Sequence, residues 1–300
     1  MIHPPTQTEI RAMLADAGLR PDKRYGQHFL VDGNLMRMLV AEAELTATDT
    51  VLEVGPGVGN LTRLLVAEAG HVVAAEVDAK MAEIAREQTA GAANLDLVVI
   101  DILAGKHVVE PRVMDLVRQW QTKLGGLVKL VANLPYAAAT PLVAELVQLD
   151  SPPERLVFTV QEEVAERFMA APGTREYGPV GVLVQGVAEV EILRRLGTRV
   201  FWPPPKVGSA MVRIRPSVAR RGRITDVRGF RRTIEGLFMH RRKRAARSLS
   251  LADPAGASPQ EWAARLAAVG LDPEARGETY TVEGIIALAN AIAADHRTDT

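Results

Sequence analysis

Strand-like and helix-like stretches alternate along the first 170 residues, and this alternation constrains the fold more than any other feature of the chain. Five apolar, β-favouring runs are predicted as strands, at residues 50–55, 71–76, 95–100, 127–132 and 157–160. Segments with helical spacing lie between them, for example at residues 61–69 and 79–88. Such alternation predicts an α/β fold with a parallel, doubly wound sheet, which binds its ligands at the carboxyl ends of the strands.

The pattern changes after Gly178. Residues 179–191 and 206–214 are two further β-like runs, and we expect them to close the sheet with at least one antiparallel strand. Beyond Pro216 the apolar residues recur at helical spacing, which predicts a domain boundary near 216 and a small helical core after it. The helices are predicted around residues 230–239, 242–250, 259–269 and 282–293, and a disordered tail is expected from about Asp295.

Composition excludes several classes of protein. The chain has no cysteine, which rules out a disulfide scaffold, a cysteine-based zinc site and a cysteine nucleophile, and agrees with a cytoplasmic protein. Its first residues lack the apolar core of a signal peptide, and no run approaches the roughly 18 apolar residues of a membrane span. We therefore expect a cytoplasmic protein without a membrane partner.

The zero net charge conceals a strongly basic segment. Residues 201–250 hold 14 of the 36 Lys and Arg residues, but Asp226 and Glu235 are their only acids. This separation predicts a local anion-binding face on an otherwise acidic protein, with RNA as the natural partner. A solvated basic helix face is the alternative.

A glycine turn, Glu53-Val54-Gly55-Pro56-Gly57-Val58-Gly59-Asn60, connects the first predicted strand to a helix. Missing Cβ atoms let a ligand approach the backbone N–H groups of such a turn. The dinucleotide fingerprint would place a glycine where Asn60 stands, whereas the observed spacing after an acidic residue is typical of enzymes that bind S-adenosylmethionine. Glu53 either contacts that cofactor or holds the glycine turn.

Three more polar residues end predicted strands on the same edge of the sheet. Glu76 is placed to accept both hydroxyls of a ribose, and Asp101 to accept from an adenine amine. Asp101 alone could be a helix cap. Together with Asn133 and the glycine turn, these residues predict a nucleoside-binding rim.

The tetrapeptide Asn133-Leu134-Pro135-Tyr136 carries groups suited to chemistry on an exocyclic amine. The Asn133 side-chain oxygen and the Leu134 carbonyl can accept the two N–H groups of an adenine N6 amine. Pro135 stiffens the turn, and Tyr136 offers a face on which an extruded base can stack. An ordinary strand-to-helix turn with a packed tyrosine is the alternative.

These features together resemble the small-subunit ribosomal RNA adenine dimethyltransferases of the kasugamycin-resistance type. The resemblance covers nearly the whole chain and depends on a combination of motifs. Beside the glycine turn and the NLPY tetrapeptide, these are residues 23–30 (KRYGQHFL), residues 161–167 (QEEVAER), Tyr177-Gly178, Phe201 with Pro203 and Pro205, Lys206-Val207 with Ser209, and Arg241-Arg242-Lys243.

The resemblance implies a Rossmann-like class I S-adenosylmethionine-dependent methyltransferase sheet over residues 1–215 and a helical RNA-binding domain over residues 216–300. It implies that S-adenosylmethionine is contacted by His28, Leu30, Gly55, Gly57, Glu76, Asp101 and Asn133. The target adenine would be held by Asn133, Leu134, Pro135, Tyr136 and Phe201, and RNA phosphates by Arg241, Arg242, Lys243 and Arg244. The GQHFL segment could instead be an entry helix, and Phe201 could pack under the sheet.

The chain departs from the family pattern at two places. Residues 137–141 read Ala-Ala-Ala-Thr-Pro instead of the usual Asn-Ile-Ser-Thr-Pro, which is expected to change the capping of the helix after Tyr136. Gly208 stands where an aspartate is usual, which removes a charge near the target loop.

The predicted function is dimethylation of N6 on two neighbouring adenosines near the 3′ end of 16S ribosomal RNA, during ribosome biogenesis. No metal and no titrating general base are expected, and the working expectation is a monomer acting on naked RNA or the small subunit. The rival interpretations are a large-subunit macrolide-resistance methyltransferase, an RNA-binding assembly or transcription factor, and a nicotinamide oxidoreductase, which the glycine spacing disfavours most.

Overall fold

The computed structural model describes residues 5–22, 27–105 and 107–298, in two compact units. The first unit comprises the residues up to Ala165 together with Glu191–Arg215, and the second comprises Glu166–Val190 and the residues from Pro216 onward. The predicted boundary near 216 coincides with one of these divisions. However, Glu166–Val190 cluster with the C-terminal helices, because the helix at Pro179–Val187 packs against three of them.

Eleven strands and thirteen α-helices are present in the described residues. The strands are β1 (Phe29–Leu30), β2 (Thr50–Val54), β3 (His71–Glu76), β4 (Leu95–Val99), β5 (Leu103–Gly105), β6 (Val108–Val109), β7 (Val128–Asn133), β8 (Arg155–Gln161), β9 (Ala188–Leu196), β10 (Phe201–Trp202) and β11 (Ser209–Pro216). The helices are α1 (Gln7–Asp16), α2 (Gly33–Glu42), α3 (Thr62–Glu68), α4 (Ala79–Gln88), α5 (Pro111–Leu124), α6 (Tyr136–Val147), α7 (Glu162–Met169), α8 (Pro179–Val187), α9 (Val218–Arg221), α10 (Val227–Met239), α11 (Ala245–Ala252), α12 (Pro259–Ala268) and α13 (Val282–Thr298).

The main sheet has seven strands in the order β4-β3-β2-β7-β8-β11-β9. The pairs among β4, β3, β2, β7 and β8 are parallel, and β11 pairs antiparallel with β8, as the sequence predicted for the closing strands. Because the five predicted strands are all present and parallel, Gly55, Glu76, Asp101 and Asn133 follow or end neighbouring strands at one edge of the sheet.

Apolar side chains of α2 and α3 pack against one another and against the sheet. Leu39 of α2 and Leu65 of α3 are fully buried, in one cluster with Val72 of β3 and Val131 of β7. A second cluster joins α1 to the glycine turn, since Ile10 and Leu14 pack with Val58. These packed clusters therefore hold the loops that follow the strands in fixed positions.

The prediction of a strand at residues 179–191 is wrong over most of that range. Residues Pro179–Val187 form helix α8, and strand β9 begins only at Ala188. Proline occupies the first turn of α8, where its missing N–H costs nothing. A Cβ on Gly186 would lie 2.6 Å from Phe230 Cε1, so glycine permits close packing of α8 against α10 within the second unit. The prediction failed because a helix that is apolar on all sides has the same apolar composition as a buried strand.

The second unit is built from helices around α10. Phe230 and Ile234 of α10 are buried with Ile285 of α13, and α11 and α12 pack alongside. Helix α13 continues to Thr298, so the tail expected from about Asp295 is helical to that point.

The basic run from His240 to Arg244 is not helical, although a helix was predicted from Arg242. Helix α10 ends at Met239 and α11 begins at Ala245, and the basic run forms the turn between them. The first four residues of the predicted KRYGQHFL motif, 23–26, lie outside the described residues. No helix in the described part of the chain has the length and hydropathy needed to cross a bilayer.

Candidate cofactor and target-base site

A cavity opens in the first unit where β2, β3, β4 and β7 end. It is lined by the glycine turn, by the loop that precedes β1 and by the first residues of α6. Ten of the eleven residues predicted for cofactor and base are in its wall: His28, Leu30, Gly55, Gly57, Glu76, Asp101, Asn133, Leu134, Pro135 and Tyr136. The eleventh, Phe201, is elsewhere.

The glycine turn adopts a conformation that side chains disfavour. Gly55, Gly57 and Gly59 have φ values of 71°, 58° and 83°, in the left-handed region. A Cβ at Gly55 would also lie 2.9 Å from Pro135 Cγ, and one at Gly57 would lie 3.0 Å from Phe29 Cε1. The turn therefore presents backbone to the cavity, as a nucleoside ligand requires.

Glu76 ends β3 and holds the glycine turn in place. Its Oε2 accepts the N–H of Gly57 at 2.9 Å, and its Oε1 accepts the N–H of Asp78 at 3.0 Å. The side chain is 5% exposed, and burial raises its pKa, although the two backbone N–H groups oppose that shift. Each carboxylate oxygen keeps a further lone pair for a ligand hydroxyl.

Glu53 is a buried acid in the same cavity wall. It is 1% exposed, and its Oε2 has no hydrogen-bond partner among the described residues. Burial raises the pKa of Glu53 to about 8, and the nearby Glu76 carboxylate adds to the shift. Among the described residues no hydrogen bond satisfies Glu53 Oε2, which leaves that oxygen for a polar group of a ligand.

Asp101 follows β4 and is exposed at the cavity rim. Its Oδ1 accepts the N–H of Leu103 at 2.9 Å, a local turn bond. Strand β5 and not a helix follows Asp101, so the alternative of a helix cap is wrong. Because the residue also lines the cavity, the turn bond orients its carboxylate without removing it from the site.

Asn133 is the last residue of β7 and is fixed by two hydrogen bonds. Its Nδ2 donates to the carbonyl of His28 at 2.9 Å, and its Oδ1 accepts from the Thr159 hydroxyl at 2.5 Å. The amide thus ties the segment before β1 to the end of β7. His28 is fixed in turn, because its Nδ1 donates to the Pro203 carbonyl at 2.6 Å.

Tyr136 begins α6 and presents a ring to the cavity. Its hydroxyl lies 2.9 Å from the Ser209 hydroxyl, and its ring centroid lies 5.6 Å from that of His28. Burial raises the pKa of Tyr136, which keeps the phenol neutral. The cavity wall therefore includes two aromatic rings, those of Tyr136 and His28. The sequence indicated a role for His28 at the cofactor alone.

Phe201 does not line the cavity. It is 2% exposed and pairs with Leu30 where β1 and β10 run antiparallel, inside the cluster that contains Met36 and Leu39. The structure therefore shows the packing that the sequence left open as the alternative to a base clamp. The adjacent Trp202 is partly exposed and stacks on Phe29, with ring centroids 6.3 Å apart.

Gly208 lies beside a carboxylate of the first unit. A Cβ at Gly208 would lie 2.7 Å from Glu162 Oε2, and Glu162 forms an ion pair with Arg195. A side chain at position 208 would therefore have to displace the Glu162 carboxylate.

Helix α6 has no side-chain cap. Pro135 is its N-cap residue and has no side chain that could accept a hydrogen bond, while Ala137 and Ala138 line the cavity. Because Pro135 belongs to the unchanged NLPY tetrapeptide, the missing cap does not come from the alanines, and their expected effect on capping stays a prediction.

The sequence did not identify Thr159 as a site residue, and it indicated no role for Ser209 or Asn60. Thr159 is one residue of an apolar strand, and only the pairing of β7 with β8 brings it beside Asn133. Ser209 belongs to a recognised motif, but its contact with Tyr136 joins residues 73 positions apart. Asn60 lines the cavity and donates from Nδ2 to the Leu30 carbonyl at 3.2 Å.

The predicted RNA-binding cations, all exposed, have different surroundings within the second unit. Arg241 forms an ion pair with Glu278 and donates to the Arg175 carbonyl at 2.9 Å, and Arg244 forms an ion pair with Glu274. Within the described chain, Arg242 and Lys243 make no such ion pair. Their positive charges are therefore the more available to an anionic partner.

Comparison with known proteins identifies the family. The family model for ribosomal RNA adenine dimethylase matches residues 18–283. The chain belongs to the ribosomal RNA adenine dimethylase family. It is an S-adenosylmethionine-dependent methyltransferase, and the predicted fold class, enzyme class and cofactor are confirmed.

Curated relatives and a solved structure agree with this assignment. The chain is 39% identical, over 82% of its length and 80% of the relative's, to a probable ribosomal RNA small subunit methyltransferase A of Methanopyrus kandleri. It is 36% identical to the ribosomal RNA small subunit methyltransferase A of Pediococcus pentosaceus, over 95% of this chain and 94% of the other. A dimethyladenosine transferase from Plasmodium falciparum has the same fold, with a TM-score of 0.71 at 20% identity over 90% of this chain and 98% of the other.

The residues in the cavity fit the cofactor of this family. A glycine turn without Cβ atoms, a ribose-type acceptor at Glu76 and the unpartnered Glu53 oxygen suit a nucleoside that carries a further polar group.

Proposed function

We propose that this enzyme transfers methyl groups from S-adenosylmethionine to N6 of two neighbouring adenosines near the 3′ end of small-subunit ribosomal RNA, two to each adenosine. The observation that carries the proposal is that Asn133 and Tyr136 of the NLPY tetrapeptide share one cavity with the glycine turn and Glu76. A methyl donor and an exocyclic amine can therefore meet at a single point.

The cofactor would be held by backbone and carboxylate groups. Gly55 and Gly57 offer close backbone approach, Glu76 accepts from the ribose hydroxyls, and Asp101 accepts from the adenine amine. His28 and Leu30 also line the cavity, and Asn133 lines it at the end of β7. When bound there, S-adenosylmethionine supplies a methyl group activated by its sulfonium charge.

The target amine would be held by uncharged acceptors. Adenine N6 is a poor nucleophile because its lone pair is delocalised into the ring. The second lone pair of Asn133 Oδ1 and the Leu134 carbonyl accept its two N–H groups and draw the nitrogen towards a tetrahedral shape. Tyr136 stacks on the extruded base, and Pro135 keeps the Leu134 carbonyl directed at the amine. Phe201 pairs with Leu30 in the core and does not line the cavity, so we assign it no direct contact with the base.

Each transfer forms one nitrogen–carbon bond as one carbon–sulfur bond breaks. The resulting N6 cation is acidic enough to lose a proton to water, so no side chain needs to act as a general base. Positioning and electrostatic stabilisation then provide the rate enhancement.

Binding of the RNA would depend on the second unit as well as on the cavity. Arg242 and Lys243, which are exposed, would contact RNA phosphates, and Arg241 and Arg244 would add to the positive potential from within their ion pairs. We place the enzyme in the cytoplasm with its ribosomal substrate, acting as a monomer.

The test is methyl transfer to ribosomal subunits that lack the modification. Labelled methyl from S-adenosylmethionine is offered to small and large subunits in parallel, and the product nucleosides are identified. N6-dimethyladenosine in the small subunit alone supports the proposal. Label in the large subunit alone would assign the enzyme to the macrolide-resistance type, and cofactor binding without transfer would favour an RNA-binding factor.

A further inference from the structure

Thr159 lies beside Asn133 at the carboxyl end of the parallel sheet. The two residues are register partners where β7 pairs with β8. The Thr159 hydroxyl donates to Asn133 Oδ1 at 2.5 Å, and Thr159 is 1% exposed. This contact is therefore short and shielded from water, where a hydrogen bond restricts its partners most strongly.

The surroundings of the Asn133 amide admit one orientation. The His28 carbonyl can only accept, so it requires the amide NH₂ group, at 2.9 Å. The amide oxygen must then face Thr159, whose hydroxyl must act as the donor. Because a β-branched side chain such as Thr159 is stiff about χ1, that donor is held in place.

Thr159 also anchors the second proposed acceptor. Its backbone carbonyl accepts the N–H of Leu134 at 3.2 Å. This bond fixes the position of Leu134, whose own carbonyl is the second proposed acceptor for the amine of the target adenine. A single residue of β8 thus holds both members of the acceptor pair, one through its side chain and one through its backbone.

We propose that Thr159 is a positioning residue for methyl transfer, whose hydroxyl occupies one lone pair of Asn133 Oδ1 and directs the other at the amine of the target adenine. The inference rests on the proposed role of Asn133. It has a particular consequence for the second methyl group. An unmodified amine has two N–H groups to be held, whereas the monomethylated amine has one, so the second transfer depends more strongly on exact placement of each acceptor.

The experiment compares Thr159→Val, which replaces the hydroxyl by a methyl group of similar size, with Thr159→Ser, which keeps the hydroxyl. Thr50→Val is the matched control, since Thr50 is also a fully buried threonine of the sheet, and its hydroxyl has no partner in the described chain. We expect Thr159→Val to lower kcat about tenfold with little change in KM for RNA. Monomethyladenosine should accumulate relative to dimethyladenosine, and Thr159→Ser should restore both quantities.

The product ratio separates positioning from stability. A loss of folded enzyme slows both methylation steps equally, so it leaves the ratio of monomethyladenosine to dimethyladenosine unchanged when reactions are compared at equal total methyl incorporation. If Thr159→Val does not fold, Thr159→Ala and Thr159→Ser replace it, because these two variants differ only in the hydroxyl.

Asn133→Ala, measured in parallel, distinguishes this inference from the proposed function. Wild-type kcat and product ratio in Thr159→Val, with an inactive Asn133→Ala, would overturn the role of Thr159 alone. Full activity in Asn133→Ala would overturn the role of Asn133 and with it that of Thr159, whereas a wild type that forms no N6-dimethyladenosine would overturn the proposed function itself. Equal losses in Thr159→Val and Thr50→Val would show that the hydroxyl of Thr159 has no specific part in the reaction.

Discussion

Asn133 donates from its side-chain amide to the backbone carbonyl of His28, 105 residues earlier, at 2.9 Å. This bond joins the wall predicted for the cofactor to the loop predicted for the target base. Replacing Asn133 by Ala removes both the bond and the proposed acceptor, so methylation should fall below detection while S-adenosylmethionine binding remains measurable by calorimetry. Asn94→Ala is the control, because Asn94 also donates to two backbone carbonyls, those of Val66 and Ala69. It should lower the melting temperature and leave kcat unchanged.

Glu53 makes stability depend on pH. Its folded pKa is about 8, against 4.5 for an ordinary glutamate, so the folded protein retains a proton that the unfolded chain releases. The stability of the wild type should therefore decrease as pH rises from about 4.5 to about 8. Glu53→Gln mimics the protonated acid, so its melting temperature should match the wild type near pH 4.5 and exceed it at pH 8. A difference that does not change with pH would contradict this account.

The buried pair of Lys129 and Asp49 stabilises the opposite edge of the sheet. The two charges lie 2.8 Å apart, at 5% and 3% exposure. Burial alone would raise the pKa of Asp49, but hydrogen bonds from Lys129, Leu127 and Thr46 outweigh it and lower that pKa. The contribution of Asp49 to stability is therefore present above its ordinary pKa of 3.8 and is lost as pH falls through its lower, folded value.

Removing one partner of this pair should be costly. Lys129→Met leaves an uncompensated buried carboxylate, and we expect the free energy of unfolding in urea to drop by about 3 kcal/mol. Lys129→Met combined with Asp49→Leu should lose less than Lys129→Met alone. Additive losses in the double variant would show that the two charges do not interact.

Gly208 should tolerate a neutral side chain better than a charged one. Gly208→Asp places a second carboxylate against Glu162, so it should lower stability by about 1 kcal/mol, and more at low salt. Gly208→Asn has the same shape without the charge and should cost less. If Glu162→Gln is combined with Gly208→Asp, the aspartate can replace Glu162 as the partner of Arg195, and the salt-dependent part of the loss should disappear.

Arg242 and Lys243 are expected to bind phosphate, whereas Arg241 and Arg244 are also structural. Replacing Arg242 and Lys243 together by Ala should reduce the slope of log affinity against log salt by about 1.4 for single-stranded RNA, with no change in melting temperature. Arg241→Ala should lower the melting temperature, because it breaks the contacts with Glu278 and Arg175. Unchanged salt dependence in the double variant would place the RNA on another surface.

The sequence predicted the parallel strands and their polar carboxyl ends well, because periodicity and glycine placement are local properties. It could not distinguish α8 from a strand, because an apolar stretch buried on all sides shows neither the helical period nor the alternation of a strand. It also could not place Phe201, whose exposure depends on the pairing of β1 with β10. The contact between Thr159 and Asn133 depends on strand register, which no single stretch of sequence contains.

Gly55 and Pro135 are 80 positions apart along the chain, yet a methyl group added to one would collide with the ring of the other. The glycine turn and the NLPY loop, which define the enzyme class, therefore pack directly against each other at these two residues. A larger residue at position 55 would displace the proline, and with it the carbonyl that precedes it. Substitutions at these two positions should consequently be inherited together, so that the donor and acceptor halves of the cavity change as one unit during the divergence of the family.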